Sequence, residues 1–315
     1  MNTSSRRATL VPPLLRLQAS ITNRDDRLLA WLYDHGVLTT DQIAKALFPS
    51  LDFAQRRLLR LSTLGAVARF RPNKLDGGSY PYHYVLAQLG YEHVMGQRGE
   101  GLPRRDQARR RYQSLISRPD LPHLLGGNSV FIDLAFHERT HPGARLAVWR
   151  PAAAFHEPGA LFRDGSDHRL MTKFLGLPRP DAAGVWVEDG RAVPFFAEYD
   201  TGSERLDLLT EKVSKYGLLF AYAKTWGWPV LFVLPTVLRE QHWHDRLRVA
   251  YADRPPAIVA TTAADYLTGT GKTPAEDVWH VFGSTTTGRQ RLIKLPYIDP
   301  DHDARWNPTN KTVHR

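Results

Sequence analysis

The chain has 315 residues, of which 42% are hydrophobic and 23% charged, with a formal net charge of +10. That length suits about two domains, and this balance of apolar and charged residues excludes wholesale disorder. With no cysteine, disulfides and thiolate zinc sites are excluded.

No run of about 18 apolar residues exists, so no membrane span is expected. The polar stretch Met1 to Arg7 lacks the apolar core of a secretory signal. A cytoplasmic protein is therefore expected. The charge is unevenly placed. Residues 1–120 hold 19 Lys/Arg against 10 Asp/Glu, and residues 121–315 hold 23 against 22. A localised positive field attracts a polyanion.

Residues 1–22 are polar, carry a Pro12-Pro13 break and are expected to form a flexible arm. Thr22 or Asn23 can cap a helix whose inward face is Leu28, Leu29, Trp31 and Leu32. Gly36 ends it. Thr39-Thr40 caps a second helix, Asp41 to Phe48, which Pro49 stops. Ser50 to Leu64 forms a third, with Ala54, Leu58, Leu61 and Leu64 on one face. Val67 to Arg71 and Tyr80 to Leu86 are strand-like, separated by the turn residues Lys74 to Gly78. Three helices followed by a basic hairpin give the order of a winged helix, over residues 23–95. Residues 96–120 are rich in arginine and poor in apolar positions, which predicts a basic linker, either a solvated tether or a DNA contact.

A second domain, residues 121–295, interleaves helices and strands, so the fold class is α/β and α+β in two domains. His123 to Arg139 is a predicted helix. Strands are expected at Leu146–Trp149, Ala182–Val187, Val193–Tyr199, Val230–Leu234 and Ala257–Thr262. The second and third form a hairpin through Glu188-Asp189-Gly190. Helices are expected at Ser203–Thr225 and Glu240–Tyr251. Residues 296–315 form a polar tail.

In a helix-turn-helix the second helix of the pair lies in the major groove. Here it would present Asp52, Gln55, Arg56, Arg57 and Arg60. Arginine can pair bidentately with guanine and glutamine with adenine. Arg69, Arg71 and Lys74 of the hairpin would meet phosphates or the minor groove. The expected partner is double-stranded DNA, and a homodimer on a palindrome is one possible arrangement.

The stretch Arg24-Asp25 … Gly36-Val37-Leu38-Thr39-Thr40-Asp41-Gln42-Ile43 … Arg56-Arg57-Leu58 … Leu64-Gly65 … Arg69-Phe70-Arg71-Pro72 … Pro81 to Leu86 resembles the replication-relaxation family of plasmids, integrative elements and phages. The likeness continues at His123 and Asn128, and through Pro180-Asp181, Glu198 to Glu204, Lys212 and Tyr216. It implies a role in replication, relaxation or transfer of DNA, alongside replication or conjugation proteins.

The second domain also resembles the PD-(D/E)xK nuclease fold, which sets an Asp at the start of one strand and an acidic residue on its hairpin partner. Asp181 and Glu198 occupy those positions. Such carboxylates can hold Mg²⁺, which would activate water against a phosphodiester. The chain departs from the motif where Lys is expected two residues after the acid, since Asp200 stands there. Glu204, Leu208, Lys212 and Tyr216 recur every four residues, so Lys212 can reach back from the next helix. Two readings stand. In one, Asp181, Glu198 and Asp200 bind metal while Lys212 and Glu204 serve the chemistry. In the other, the chain is a non-catalytic DNA-binding regulator or accessory factor with a degenerate nuclease fold.

His137-Glu138-Arg139-Thr140-His141 spells the zinc-protease pattern HExxH, but Pro142-Gly143 follows at once. Gly271-Lys272-Thr273 lacks the earlier glycine of a phosphate loop, since Tyr266 stands there.

Overall fold

The structure is a computed structural model that describes residues 12–72, 78–156, 160–161, 176–222 and 227–297. It divides between Arg118 and Pro119 into two compact units.

The first unit opens with helices α1 (Pro13–Gln18) and α2 (Asn23–His35). The Thr22 side chain accepts from the Asp25 N–H while the Asp25 carboxylate accepts from the Thr22 N–H, which satisfies two orphan donors at the start of α2. Strand β1 (Leu38–Thr39) leads into α3 (Thr40–Leu47), closed by the same reciprocal arrangement between Thr39 and Gln42. Helix α4 (Leu51–Thr63) is capped by Ser50 and buries Ala54, Leu58 and Leu61. Strands β2 (Val67–Phe70) and β3 (His83–Leu86) follow, and the three strands pair antiparallel in the order β1-β3-β2.

Two expectations change here. The expected arm holds helix α1, whose Leu17 is fully buried. The expected basic linker also folds. After α5 (Gln88–Gln97), residues Gln107–Ile116 form helix α6. Leu115 is fully buried, Tyr112 meets the Phe70 ring at 5.9 Å, and the Tyr112 hydroxyl donates to the Arg69 carbonyl at 3.3 Å. Ala108, Tyr112 and Leu115 recur at helical spacing, so a narrow apolar stripe docks a helix that is otherwise charged.

The second unit is a seven-stranded mixed sheet with helices. Helix α7 (Leu121–Thr140) precedes β4 (Ala144–Pro151), β5 (Ala182–Glu188) and β6 (Arg191–Tyr199), an antiparallel run. Helix α8 (Leu206–Tyr222) crosses to β7 (Val230–Leu234), which is parallel to β6. Helix α9 (Val237–Tyr251) leads to β8 (Val259–Ala263), parallel to β7. Helix α10 (Ala264–Thr270), β9 (Asp277–Val281) and β10 (Gln290–Arg291) complete the order β10-β9-β8-β7-β6-β5-β4. The β5–β6 turn places Asp189 and Gly190 at φ 50° and 79°. Two positive φ values are what a two-residue hairpin needs, and Asp-Gly tolerates them.

Both faces of the sheet are covered. Phe131 of α7 stacks on Trp149 and Phe195, with centroids 5.0 and 5.7 Å away. On the other face α8 and α9 bury Tyr216 and Trp243 against Phe196 and Phe232. The segment after β9 folds back across the unit. Arg289 pairs with the buried Glu240 of α9, and Arg291 pairs with Glu188 of β5. Leu292, Ile293 and Leu295 are buried, and the Arg191 guanidinium donates to the Leu295 carbonyl. Among the described residues no helix is long and apolar enough to cross a membrane.

Candidate functional site

In the first unit, α4 turns Gln55, Arg56 and Arg60 to solvent, together with the apolar side chains of Leu51, Phe53 and Leu59. Arg56 pairs with Asp52 at 2.8 Å and lies 4.9 Å over the Phe53 ring. Arg57 departs from the expectation. Its guanidinium donates to both Asp25 carboxylate oxygens and to the Ser20 carbonyl at 2.7 Å, which ties α4 to the start of α2. Asp25 is 1% exposed. Arg57 is therefore a strut of the helical core, with its Nε and Nη2 donors committed to these bonds. Arg69 and Arg71 are exposed, and their guanidiniums lie 4.1 and 4.0 Å from the Tyr82 ring centre, which fixes both cations over one aromatic face or edge. Lys74 lies outside the described residues.

In the second unit, hairpin pairing sets Ala182 opposite Ala197, so Asp181 and Glu198 stand side by side at one end of β5 and β6. Asp181 accepts from the Tyr199 N–H at 2.9 Å and meets His123 Nε2 at 3.0 Å. Glu198 is 3% exposed. It accepts from the Tyr216 hydroxyl at 2.7 Å and from Lys212 at 3.3 Å. Lys212 also reaches Glu204 at 3.2 Å. The four-residue stripe of α8 thus delivers Lys212 and Tyr216 to the carboxylates.

The electrostatics follow from burial and from the crowding of charge. Burial, then the neighbouring Asp181 charge, pushes the Glu198 pKa up to about 7, against the pull of Lys212 and Tyr216. Burial opposes the Lys212 charge, yet Glu198, Glu204 and Asp181 outweigh it and hold its pKa above the ordinary lysine value. The hydrogen bond to Asp181 raises the His123 pKa against the cost of burial. Burial, then the Glu198 charge, keeps the Tyr216 hydroxyl protonated far above the usual range.

Asp200 is not brought into this cluster. It is 5% exposed, accepts from the Gly202 N–H at 2.8 Å and is gripped by the Arg239 guanidinium of α9. Arg239 also donates to the Glu204 carbonyl, so the pair fastens the loop from β6 to α8. The metal set of Asp181, Glu198 and Asp200 is accordingly not assembled, and no group of three metal-ligating side chains converges among the described residues. What remains is an oxygen donor pair, Asp181 and Glu198, flanked by Glu204. That donor chemistry suits Mg²⁺, which binds through one or two carboxylates with waters and substrate phosphates.

His123 is the site residue that residue-by-residue reasoning about catalysis missed. It is carried on α7 by an unusual approach. A side chain at Gly126 would place its Cβ 2.2 Å from the Tyr199 ring, so only glycine lets the helix lie there and bring His123, one turn earlier, to Asp181. A Gly126-Gly127 pair inside a helix costs about 1 kcal/mol per residue, and that cost was the available signal.

The HExxH pattern builds no metal site. The His137 and His141 rings stack at 3.7 Å and 4°, so their lone pairs run parallel and do not converge on one ion. His137 bonds Thr273 at 2.8 Å, and Glu138 accepts from the Leu146 N–H at 3.2 Å. Lys272 is paired with Asp277.

A protein-family model described as replication-relaxation matches residues 29–229. No curated protein and no solved structure matches the chain.

Proposed function

Because the chain belongs to the replication-relaxation family, we propose that it binds double-stranded DNA of a mobile element and acts on its phosphodiester backbone during replication, relaxation or transfer. The observation that carries this reading is the Asp181–Glu198 pair with Lys212 held between Glu198 and Glu204. The first unit serves as a winged helix. Helices α2, α3 and α4, the small antiparallel sheet and the exposed basic strand support that assignment. Helix α4 would enter the major groove, where Gln55, Arg56 and Arg60 meet base edges and Phe53 suits a thymine methyl. Arg69 and Arg71 would set register on phosphates.

The second unit is assigned as a PD-(D/E)xK-like domain on the Asp-to-Glu hairpin geometry. Asp181 and Glu198 would hold Mg²⁺, which supplies an activated water and neutralises phosphate charge when bound. The protein's own groups do the rest. The Lys212 ammonium stabilises charge on the non-bridging oxygens. His123, whose pKa the hydrogen bond to Asp181 raises, would give a proton to the leaving oxygen. Tyr216 holds the Glu198 carboxylate in place.

A second reading is favoured by one observation. Each oxygen of the Asp181 and Glu198 carboxylates already has a hydrogen-bond partner, as expected of a degenerate site that grips DNA without cutting it. Supercoiled plasmid with Mg²⁺ separates the two. Nicking that disappears in Asp181→Ala and Glu198→Ala supports cleavage. Tight, salt-dependent binding with intact plasmid supports the accessory factor, and absence of DNA binding refutes both.

A further inference from the structure

Five carboxylates of the first unit are held by basic side chains. Asp25 is bound by Arg57, Asp26 by His93, Asp34 by Arg98, Asp52 by Arg56 and Asp106 by Arg110. Arg69, Arg71, Arg104, Arg105 and Arg109 are exposed and have no carboxylate partner among the described residues. These five cations lie on or just after β2 and on α6 with the turn before it.

These two elements are fastened together. Tyr112 donates to the Arg69 carbonyl and packs edge-on against Phe70, while the buried Leu115 backs onto Gly36 at the end of α2. A flexible basic tether would lose conformational freedom on meeting DNA. A docked helix presents the same cations already ordered, which lowers that entropic cost.

We propose that α6 and the turn before it form a second phosphate-binding element, continuous with β2, that grips the sugar–phosphate backbone of duplex DNA beside the stretch met by α4. This rests on the reading of the first unit as a duplex-binding domain. Arg104, Arg105 and Arg109 supply affinity and salt dependence without base preference, because phosphates carry no sequence information.

The test measures binding of the full chain to a labelled random-sequence duplex by fluorescence anisotropy across a salt series. Four proteins are compared: wild type, the triple variant Arg104→Gln/Arg105→Gln/Arg109→Gln, the corresponding triple Lys variant, and Gln55→Ala/Arg60→Gln in α4. Each phosphate contact contributes about 0.9 to the slope of log affinity against log salt. The triple Gln variant is expected to lower that slope by roughly 2–3 and to weaken binding at least tenfold. The triple Lys variant, which keeps the charge, restores the slope. Wild-type slope and affinity in the triple Gln variant overturn the proposal. If the α4 variant is weakened in the same experiment, the duplex-binding reading survives that loss. If the wild-type chain binds no duplex at all, the underlying reading falls and this proposal with it. Circular dichroism checks that the exposed substitutions leave the fold intact.

Discussion

Glu198→Gln isolates the electrostatic strain of the carboxylate cluster. In the folded protein Glu198 keeps its proton up to about pH 7, against an ordinary value of 4.5. Between those values the folded state binds a proton that the unfolded chain has already released. Stability therefore falls as pH rises, since the slope of unfolding free energy follows the protons bound by the unfolded minus the folded state. The stabilisation is complete below pH 4.5 and is lost through about pH 7. One pKa unit corresponds to about 1.4 kcal/mol, so the window amounts to about 3 kcal/mol, and no large discount applies because Glu198 is 3% exposed. Glutamine keeps the acceptor for Tyr216 and cannot ionise. The variant's stability relative to wild type should then rise by about 3 kcal/mol between pH 4.5 and pH 8, measured by urea denaturation at several pH values. Taking the difference between the two proteins removes the histidines that titrate in the same range. A difference that stays constant across the window would refute the claim that burial and Asp181 crowd this carboxylate.

Arg57→Ala and Arg60→Ala should separate stability from binding. Loss of Arg57 leaves Asp25 buried without its cation and should cost about 2–4 kcal/mol, allowing for a guanidinium that is 20% exposed. Arg60→Ala should change stability by less than about 0.5 kcal/mol while weakening duplex binding by about 1–3 kcal/mol; thermal melts and anisotropy read the two. Gly126→Ala should push α7 off the Tyr199 ring, at a cost of about 1–3 kcal/mol from overpacking. The same change should return His123 toward its ordinary pKa in an NMR titration, and an unmoved titration would contradict the assigned role of this glycine.

The parts legible in the sequence are those set by local pattern. Val230–Leu234 is a continuous apolar run and forms the strand expected there. The Asp189-Gly190 turn fixed the hairpin, and the hairpin fixed Asp181 beside Glu198. The four-residue stripe placed Lys212. What was not legible depends on distant partners. Asp200 follows Glu198 by two residues and looks like its companion, but Arg239 on α9 claims it. Arg57 was misjudged although a signal was present. It lies three residues after Ala54 and four before Leu61, inside the apolar stripe. Its charge hid a position that the helix turns inward. In the same way the arginines of residues 104–111 masked the stripe Ala108, Tyr112 and Leu115 that makes α6 a helix rather than a tether.

The returning segment from Arg289 to Leu295 sets the timetable of assembly. The hairpin, α8 and β7 are contributed before residue 235, yet the side chains that lock α9 and β5 arrive with Arg289, Arg291 and the buried Leu292 and Leu295. A nascent chain that has not released this segment leaves Glu240 and Glu188 without their cations and part of the interior open to water. The second unit therefore matures only once residues 289–295 have joined it, and a cut before Arg289 would act at a distance by loosening the framework that aligns the carboxylates.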